Sequence, residues 1–137
     1  ELAAIKSYIN SGGTLLVETV GGLGEFADHA EAQLTEALGG QRRWLDALDP
    51  IITGQGLGGG ADASRVEYRA YAQLQGAPGD RANLAAIYLD DPAVSQARPA
   101  VILSSRDLSV GAVGTRYFKV NGYAPDSARK LLGNVIL

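Results

Sequence analysis

The sequence has 137 residues, of which 46% are hydrophobic and 20% charged, with a formal net charge of −3 and no cysteine. This length suits one domain with a hydrophobic core, and the hydrophobic fraction argues against a disordered chain. No hydrophobic run is long enough to span a membrane, the mild acidity argues against a nucleic-acid partner, and the lack of cysteine excludes disulfides and thiolate chemistry.

The first forty residues predict the order helix, strand, glycine loop, helix. Leu2, Ile5 and Ile9 recur at helical spacing, and glycines follow where a helix end favours them. Residues 14–20 form a nearly continuous apolar run, which is typical of a central parallel strand with both faces covered. After the glycines of residues 21–24, residues 26–38 predict a second helix. This alternation is typical of an α/β sheet.

The middle of the chain is less regular. Residues 42–48 predict a short helix that ends near Asp49 and Pro50, and five glycines within residues 54–60 predict a loop. Alternating apolar residues favour a half-buried strand over residues 66–74. Residues 77–80 predict a turn, and residues 84–89 predict a short strand that ends before Asp90, Asp91 and Pro92.

The last third of the chain predicts a buried strand and a final helix. Residues 99–104 are apolar and lead into a polar segment, after which Gly111 and Gly114 predict a loop. Residues 124–137 predict a helix that begins with proline and has an apolar stripe facing the core, made of Ala128, Leu131, Leu132, Val135 and Ile136. We expect the strands at 14–20 and 99–104 to be parallel neighbours between layers of helices.

The start of the sequence leads to an expectation about a larger protein. A domain seldom begins with an amphipathic helix that leads into a buried strand. We therefore expect residues 1–137 to be one α/β domain, the C-terminal segment of a larger protein with at least one further strand upstream.

Ligands of open α/β sheets gather at the carboxyl ends of the strands. Two such ends are visible, and their candidate ligand-binding residues are Glu18, Gly21, Gly22, Gly24, Arg106 and Asp107. The glycine loop would offer backbone N–H groups to an anion. The structural alternative is that the glycines only form a tight turn, and that Asp107 only caps local backbone or pairs with Arg106.

Other motifs predict little. Residues 56–61 match a dinucleotide-binding pattern but no strand precedes them, and His29 has no evident nucleophile or substrate proton to act on. The pairs Asp46/Asp49 and Asp90/Asp91 fit turn and helix-end chemistry better than a magnesium site. Residues 42–44 (Arg-Arg-Trp) either dock a partner or bury the tryptophan beneath arginine stems. We expect no metal site and no cofactor.

The chain resembles the DUF4159 family, a bacterial family of unknown function, in four stretches that occur in the family's order: residues 2–20, 66–69, 98–114 and 122–137. The resemblance implies a flavodoxin-like fold of the class I glutamine amidotransferase-like type. That fold is a three-layer sandwich with a mostly parallel sheet, whose N-terminal strands precede Glu1. It also implies a link to membrane-anchoring or other envelope-associated regions. The family motif falls on Ser104, Asp107, Leu108, Ser109 and Gly111, but true amidotransferases need a cysteine that this chain lacks, so no catalytic role is carried over.

These observations favour a non-catalytic α/β binding or interaction module, whose partner is another protein or the upstream domains of the same chain. The alternative is a carboxylate-dependent hydrolase or transferase that uses Glu18 and Asp107 at the C-terminal edge of the sheet. A third hypothesis is a sugar- or nucleotide-binding sensor that uses the loop at residues 21–24.

Overall fold

The computed structural model describes residues 2–89 and 99–137. Its strands are β1 (Leu15–Glu18), β2 (Gln41–Trp44), β3 (Ala85–Tyr88) and β4 (Pro99–Ser104). Its helices are α1 (Leu2–Asn10), α2 (Phe26–Leu38), α3 (Pro50–Thr53), α4 (Ala70–Leu74), α5 (Ser109–Val113) and α6 (Pro125–Ile136), with a 3₁₀ turn at Val20–Gly22. The Asp90/Asp91 pair and Arg98 lie outside the described residues.

The four strands form one mixed sheet in the order β1-β4-β3-β2. As predicted, β1 and β4 are parallel neighbours, with Leu15 beside Val101 and Glu18 beside Ser104. The pairings of β4 with β3 and of β3 with β2 are antiparallel. The mostly parallel sheet is therefore not seen in the described part of the chain. The link between β3 and β4 explains this, because it spans only residues 89–98 and a parallel crossover needs about a dozen or more.

Helices cover both faces of the sheet, which gives an α/β sandwich. On one face, α1 and α2 pack through Ile9 and Leu34 against Val17, Val101 and Leu103. On the other face, α6 contacts α3 and α5 and contributes the buried stripe residues Ala128 and Leu131 to a second cluster. Strands covered on both sides explain why β3 and β4 are nearly continuous apolar runs.

Several predicted elements are confirmed. The helix over residues 26–38 and the strand over residues 99–104 have the predicted bounds. Gly39 ends α2 in the left-handed conformation, with φ of 66°. At the start of α2, the buried Thr19 hydroxyl accepts a hydrogen bond from the Ala27 N–H, which satisfies one of the free donors of the first turn.

The helix predicted over residues 42–48 is wrong, because residues 41–44 form β2. Arg42 and Trp44 lie opposite Ile87 and Ala85 of β3, so pairing with a neighbouring strand overrides the local helical pattern. Asp49 and Pro50, which were predicted to end that helix, begin α3 instead. The Asp49 carboxylate accepts the Ile51 N–H at 2.9 Å and caps α3.

The strand predicted over residues 66–74 is also wrong. Only Tyr68 makes a strand-like bridge, to Tyr123, and α4 begins at Ala70. Val66 and Tyr68 are buried as the alternation requires, but Leu74 is 77% exposed. Burial of two alternating residues in an irregular segment is enough to imitate a strand pattern.

The loop predicted around Gly111 and Gly114 is helical at its start, since α5 covers residues 109–113 and Gly114 ends it. In α6 the prediction that Ile136 faces the core is wrong, because this side chain is 75% exposed. Asn134 is buried instead. Its amide accepts the Ala61 N–H and donates to the carbonyls of Ile51 and Ala61, so it anchors the glycine-rich loop to the helix.

Within residues 2–89 and 99–137, the helices are all too short or too polar to cross a lipid bilayer.

Candidate functional site

The two strand ends predicted to form a site do meet. Glu18 is the last residue of β1, beside Ser104 at the end of β4. The Glu18 carboxylate turns toward the segment after β4, where Oε2 accepts the N–H groups of Leu108 at 2.8 Å and Ser109 at 3.1 Å. These are free donors at the start of α5. Glu18 therefore links the end of β1 to α5 and satisfies two backbone groups.

The carboxylate of Asp107, which is fully buried, links the glycine loop to α5 in a similar way. Its Oδ2 accepts the Gly21 N–H at 2.7 Å, and its Oδ1 accepts the Gly111 N–H at 2.9 Å. One carboxylate thus joins the loop after β1 to α5. The bond to Gly111 is the local backbone cap stated as the structural alternative for Asp107, whereas the bond to Gly21 joins two distant segments.

Two N–H groups of the glycine loop are already bonded within the protein. The Gly21 N–H is taken by Asp107, and the Gly22 N–H donates to the Thr19 carbonyl at 2.7 Å. Gly22 has φ of +64°, and a Cβ on it would stand 1.8 Å from the Asn121 carbonyl oxygen. Gly24 is exposed and makes no close contact at its Cβ position. Gly22 is therefore needed for the close approach of two chain segments.

Arg106 does not pair with Asp107. Its guanidinium donates to the Asn121 side-chain oxygen and lies 5.4 Å from the centre of the Tyr68 ring. Tyr68 stacks on Tyr123, with ring centres 4.7 Å apart. Burial raises the pKa of both tyrosines above the ordinary value of 10. Both phenols therefore stay protonated at a pH at which an exposed tyrosine ionises.

Asn121, which the sequence did not single out, joins most of the predicted site residues. Its N–H donates to the Gly21 carbonyl, and its side-chain amide donates to the Gly22 carbonyl. Its own carbonyl accepts the Asp107 N–H. The only signal in the sequence was the Asn-Gly pair at 121–122, which is typical of turns. Four of the predicted site residues therefore bond to Asn121, namely Gly21, Gly22, Arg106 and Asp107, whereas Glu18 bonds to the start of α5.

The open edge of β1 carries a feature that the sequence did not predict. A groove of about 540 Å³ runs along this edge between α1 and α2, and its lining includes Leu2, Ile5, Leu16 and Phe26. The Thr19 N–H points toward β4, where it donates to the Ser104 carbonyl. Because backbone groups alternate along a strand, those of Leu16 and Glu18 point into the groove. Among the described strands, β1 is paired on its β4 side alone.

The remaining candidate residues have ordinary surroundings. His29 is mostly exposed and lies 3.8 Å from Glu25 on the same helix. Asp46 accepts the Leu48 N–H in a turn. Trp44 is 57% exposed, and the Arg42 guanidinium covers it at 3.7 Å from the ring centre, so the buried alternative for Trp44 is wrong. Throughout the described residues there is no group of three or more histidine or acidic residues that could hold a metal ion.

Comparison of the chain with family models, curated proteins and solved structures finds no match.

Proposed function

We propose that this protein is a non-catalytic α/β interaction module that accepts an extended polypeptide strand at the open edge of β1. The observation that carries the proposal is this edge itself. The opposite edge strand, β2, has the sequence Gln-Arg-Arg-Trp, and its two arginines discourage pairing with another strand. The sequence of β1 is Leu-Leu-Val-Glu, which offers no such protection.

The groove has the chemistry of a strand-binding surface. It presents the outward backbone groups of Leu16 and Glu18 to a pairing strand, and apolar side chains to alternate residues of that strand. Phe26 is 64% exposed and Leu2 is 44% exposed beside it. The one charged residue of the lining, Glu18, already holds two backbone N–H groups, so the surface favours an apolar segment.

We propose that the incoming strand comes from a segment upstream of α1 in a larger protein. Helix α1 lines the groove through Leu2 and Ile5 and leads into β1. A strand that precedes such a helix in a right-handed crossover lies beside the next strand and parallel to it. The added strand would bring the sheet closer to the mostly parallel, flavodoxin-like architecture that the family resemblance implies. The module would then hold its upstream region by strand addition.

Hydrogen exchange tests this assignment. In the 137-residue chain, the amides of Leu16 and Glu18 should exchange much faster than that of Val17, which faces β4. In the larger protein all three should exchange slowly. Equal protection of the three amides in the short chain at high dilution would contradict the open edge. Rapid exchange of Leu16 and Glu18 in the larger protein would contradict the upstream occupant.

Sedimentation distinguishes a second copy of the chain as the occupant. The variant Phe26→Asp places a charge in the groove at the first position of α2, where the helix dipole tolerates it. The matched control Phe118→Asp changes an aromatic residue that is 74% exposed and is not among the groove-lining residues. The short chain should be monomeric in all three forms. A dimer that only Phe26→Asp dissociates would assign the groove to a second copy and overturn the upstream assignment.

A further inference from the structure

A second concavity lies on the α2 side of the sheet, away from the groove along β1. It is a cleft of about 70 Å³ between α2 and β2, with Ala85 of β3 and Leu103 of β4 on its floor. The floor is low because Ala85 is small. The cleft opens beside Ser105, just after β4, at the end of the sheet where α/β proteins bind ligands.

The rim of this cleft is polar, and some of its side chains have no partner among the described residues. The side chains of Asp28, Asn83 and Ser105 line it, and none of them makes a hydrogen bond to other described residues. They supply a carboxylate acceptor, an amide that both donates and accepts, and a hydroxyl. A few such groups on an apolar floor are what fixes the orientation of a small ligand.

Trp44 adds an exposed aromatic surface to the rim. It remains 57% exposed although the Arg42 guanidinium lies over its ring at 3.7 Å. Arg42 is itself held by Glu31, with Nε 3.3 Å from the carboxylate. The indole is therefore oriented before any ligand arrives, which reduces the entropy lost on binding.

The charge of the cleft decides the class of ligand. Asp28 and Glu31 contribute two negative charges and Arg42 one positive charge, so one negative charge remains. This balance disfavours phosphates and other anions. The volume of about 70 Å³ accommodates a few groups the size of water, such as hydroxyls, so a ring that carries them would lie at the mouth of the cleft against Trp44.

We propose that this cleft binds a neutral carbohydrate, with the C–H face of one pyranose ring on Trp44 and two or three of its hydroxyl groups bonded to Asp28, Asn83 and Ser105. A pyranose combines an apolar face with a rim of hydroxyls, which is the combination that this cleft complements. The sugar site lies apart from the glycine loop at residues 21–24 and does not depend on the strand-binding function proposed above.

Tryptophan fluorescence provides a direct test, because Trp44 is the single tryptophan of the chain. The 137-residue chain is titrated with glucose, galactose, N-acetylglucosamine and cellobiose, and separately with adenosine and inorganic phosphate. We expect a saturable change in emission with at least one sugar in the millimolar range, and none with phosphate. A saturable response to phosphate, or a tighter response to adenosine than to any sugar, would overturn the proposal.

Variants locate the binding. Asp28→Ala and Asn83→Ala should each weaken sugar binding at least tenfold while Trp44 still reports. Asp126→Ala is the matched control, since Asp126 is the acidic residue in the first turn of α6 as Asp28 is in α2. It should bind sugar like the unchanged chain. Melting curves and circular dichroism verify that all variants fold. No saturable change with any of the four sugars, or equal binding by folded Asp28→Ala and Asn83→Ala, would refute the site.

Discussion

Replacement of Asp107 is the most direct test of how the site is built. Its two carboxylate oxygens accept the N–H groups of Gly21 and Gly111, and the side chain is fully buried. A hydrogen bond to a charged group contributes about 1.5–3 kcal/mol, and a buried N–H left without a partner costs about 1–3 kcal/mol. Because these two contributions overlap, we expect Asp107→Ala to lower the free energy of unfolding by about 3–5 kcal/mol.

Asp107→Asn separates the two hydrogen bonds. Its amide oxygen can accept one of the two N–H groups, but its amide nitrogen then faces the other donor. We expect a loss of about half that of the alanine variant, and this variant keeps the prediction measurable if Asp107→Ala does not fold. The control is Asp126→Ala, which removes a 93%-exposed carboxylate in a surface ion pair and should cost less than about 1 kcal/mol.

Urea unfolding at neutral pH, followed by circular dichroism, gives the free energies and the slopes needed to compare them. A folded Asp107→Ala protein within about 1 kcal/mol of the unchanged chain would refute the assignment of Asp107 as a structural acceptor. Equal losses of unfolding free energy for Asp107→Asn and Asp107→Ala would show that the negative charge of Asp107, and not its pair of acceptor oxygens, stabilises the fold.

Three further predictions concern other parts of the fold. Gly22→Ala should destabilise the protein by at least about 2 kcal/mol in urea unfolding, because its Cβ would collide with a backbone carbonyl. Gly24→Ala should cost only about 1 kcal/mol, for its positive φ. Asn134→Ala should cost about 2–3 kcal/mol, and limited proteolysis should cut the glycine-rich loop sooner, since the amide holds three backbone groups. The pKa values of Tyr68 and Tyr123 are raised in the folded state, so the unfolded state loses these protons at lower pH. The free energy of unfolding should therefore fall as pH rises above about 10. In an absorbance titration, these two phenols should ionise only as the protein unfolds.

Local patterns predicted the elements whose own apolar pattern matches their burial. The helix over residues 26–38 has a regular apolar stripe, the strand over residues 99–104 is a continuous apolar run, and both have the predicted bounds. Residues 42–48 have helical spacing as well, but β3 needs a partner on its outer side. Residues 41–44 supply that strand, a requirement set by residues about forty positions away.

The strand predicted over residues 66–74 was wrong for a different reason. Arg69 fixes the path of this segment. Its guanidinium donates to the carbonyls of Thr115 and Val110, and its backbone N–H donates to the carbonyl of Gly122. A single arginine that donates to five distant carbonyls leaves no periodic pattern in the sequence. The alternation of Val66 and Tyr68 was visible, and the polar network that overrides it was not.

Most of the predicted site residues do lie close together, but the sequence did not distinguish a structural role for them from a functional one. Loops that follow two adjacent parallel strands must bury backbone N–H groups, and each buried donor needs an acceptor. Carboxylates such as Glu18 and Asp107 meet this need, and they bond to groups 86 to 91 positions away in the chain. A carboxylate after a buried strand therefore looks the same in sequence whether it serves a ligand or the backbone. Function is better sought where exposed polar groups have no partner among the described residues, and the outer edge of β1 and the cleft beside Trp44 are two such places.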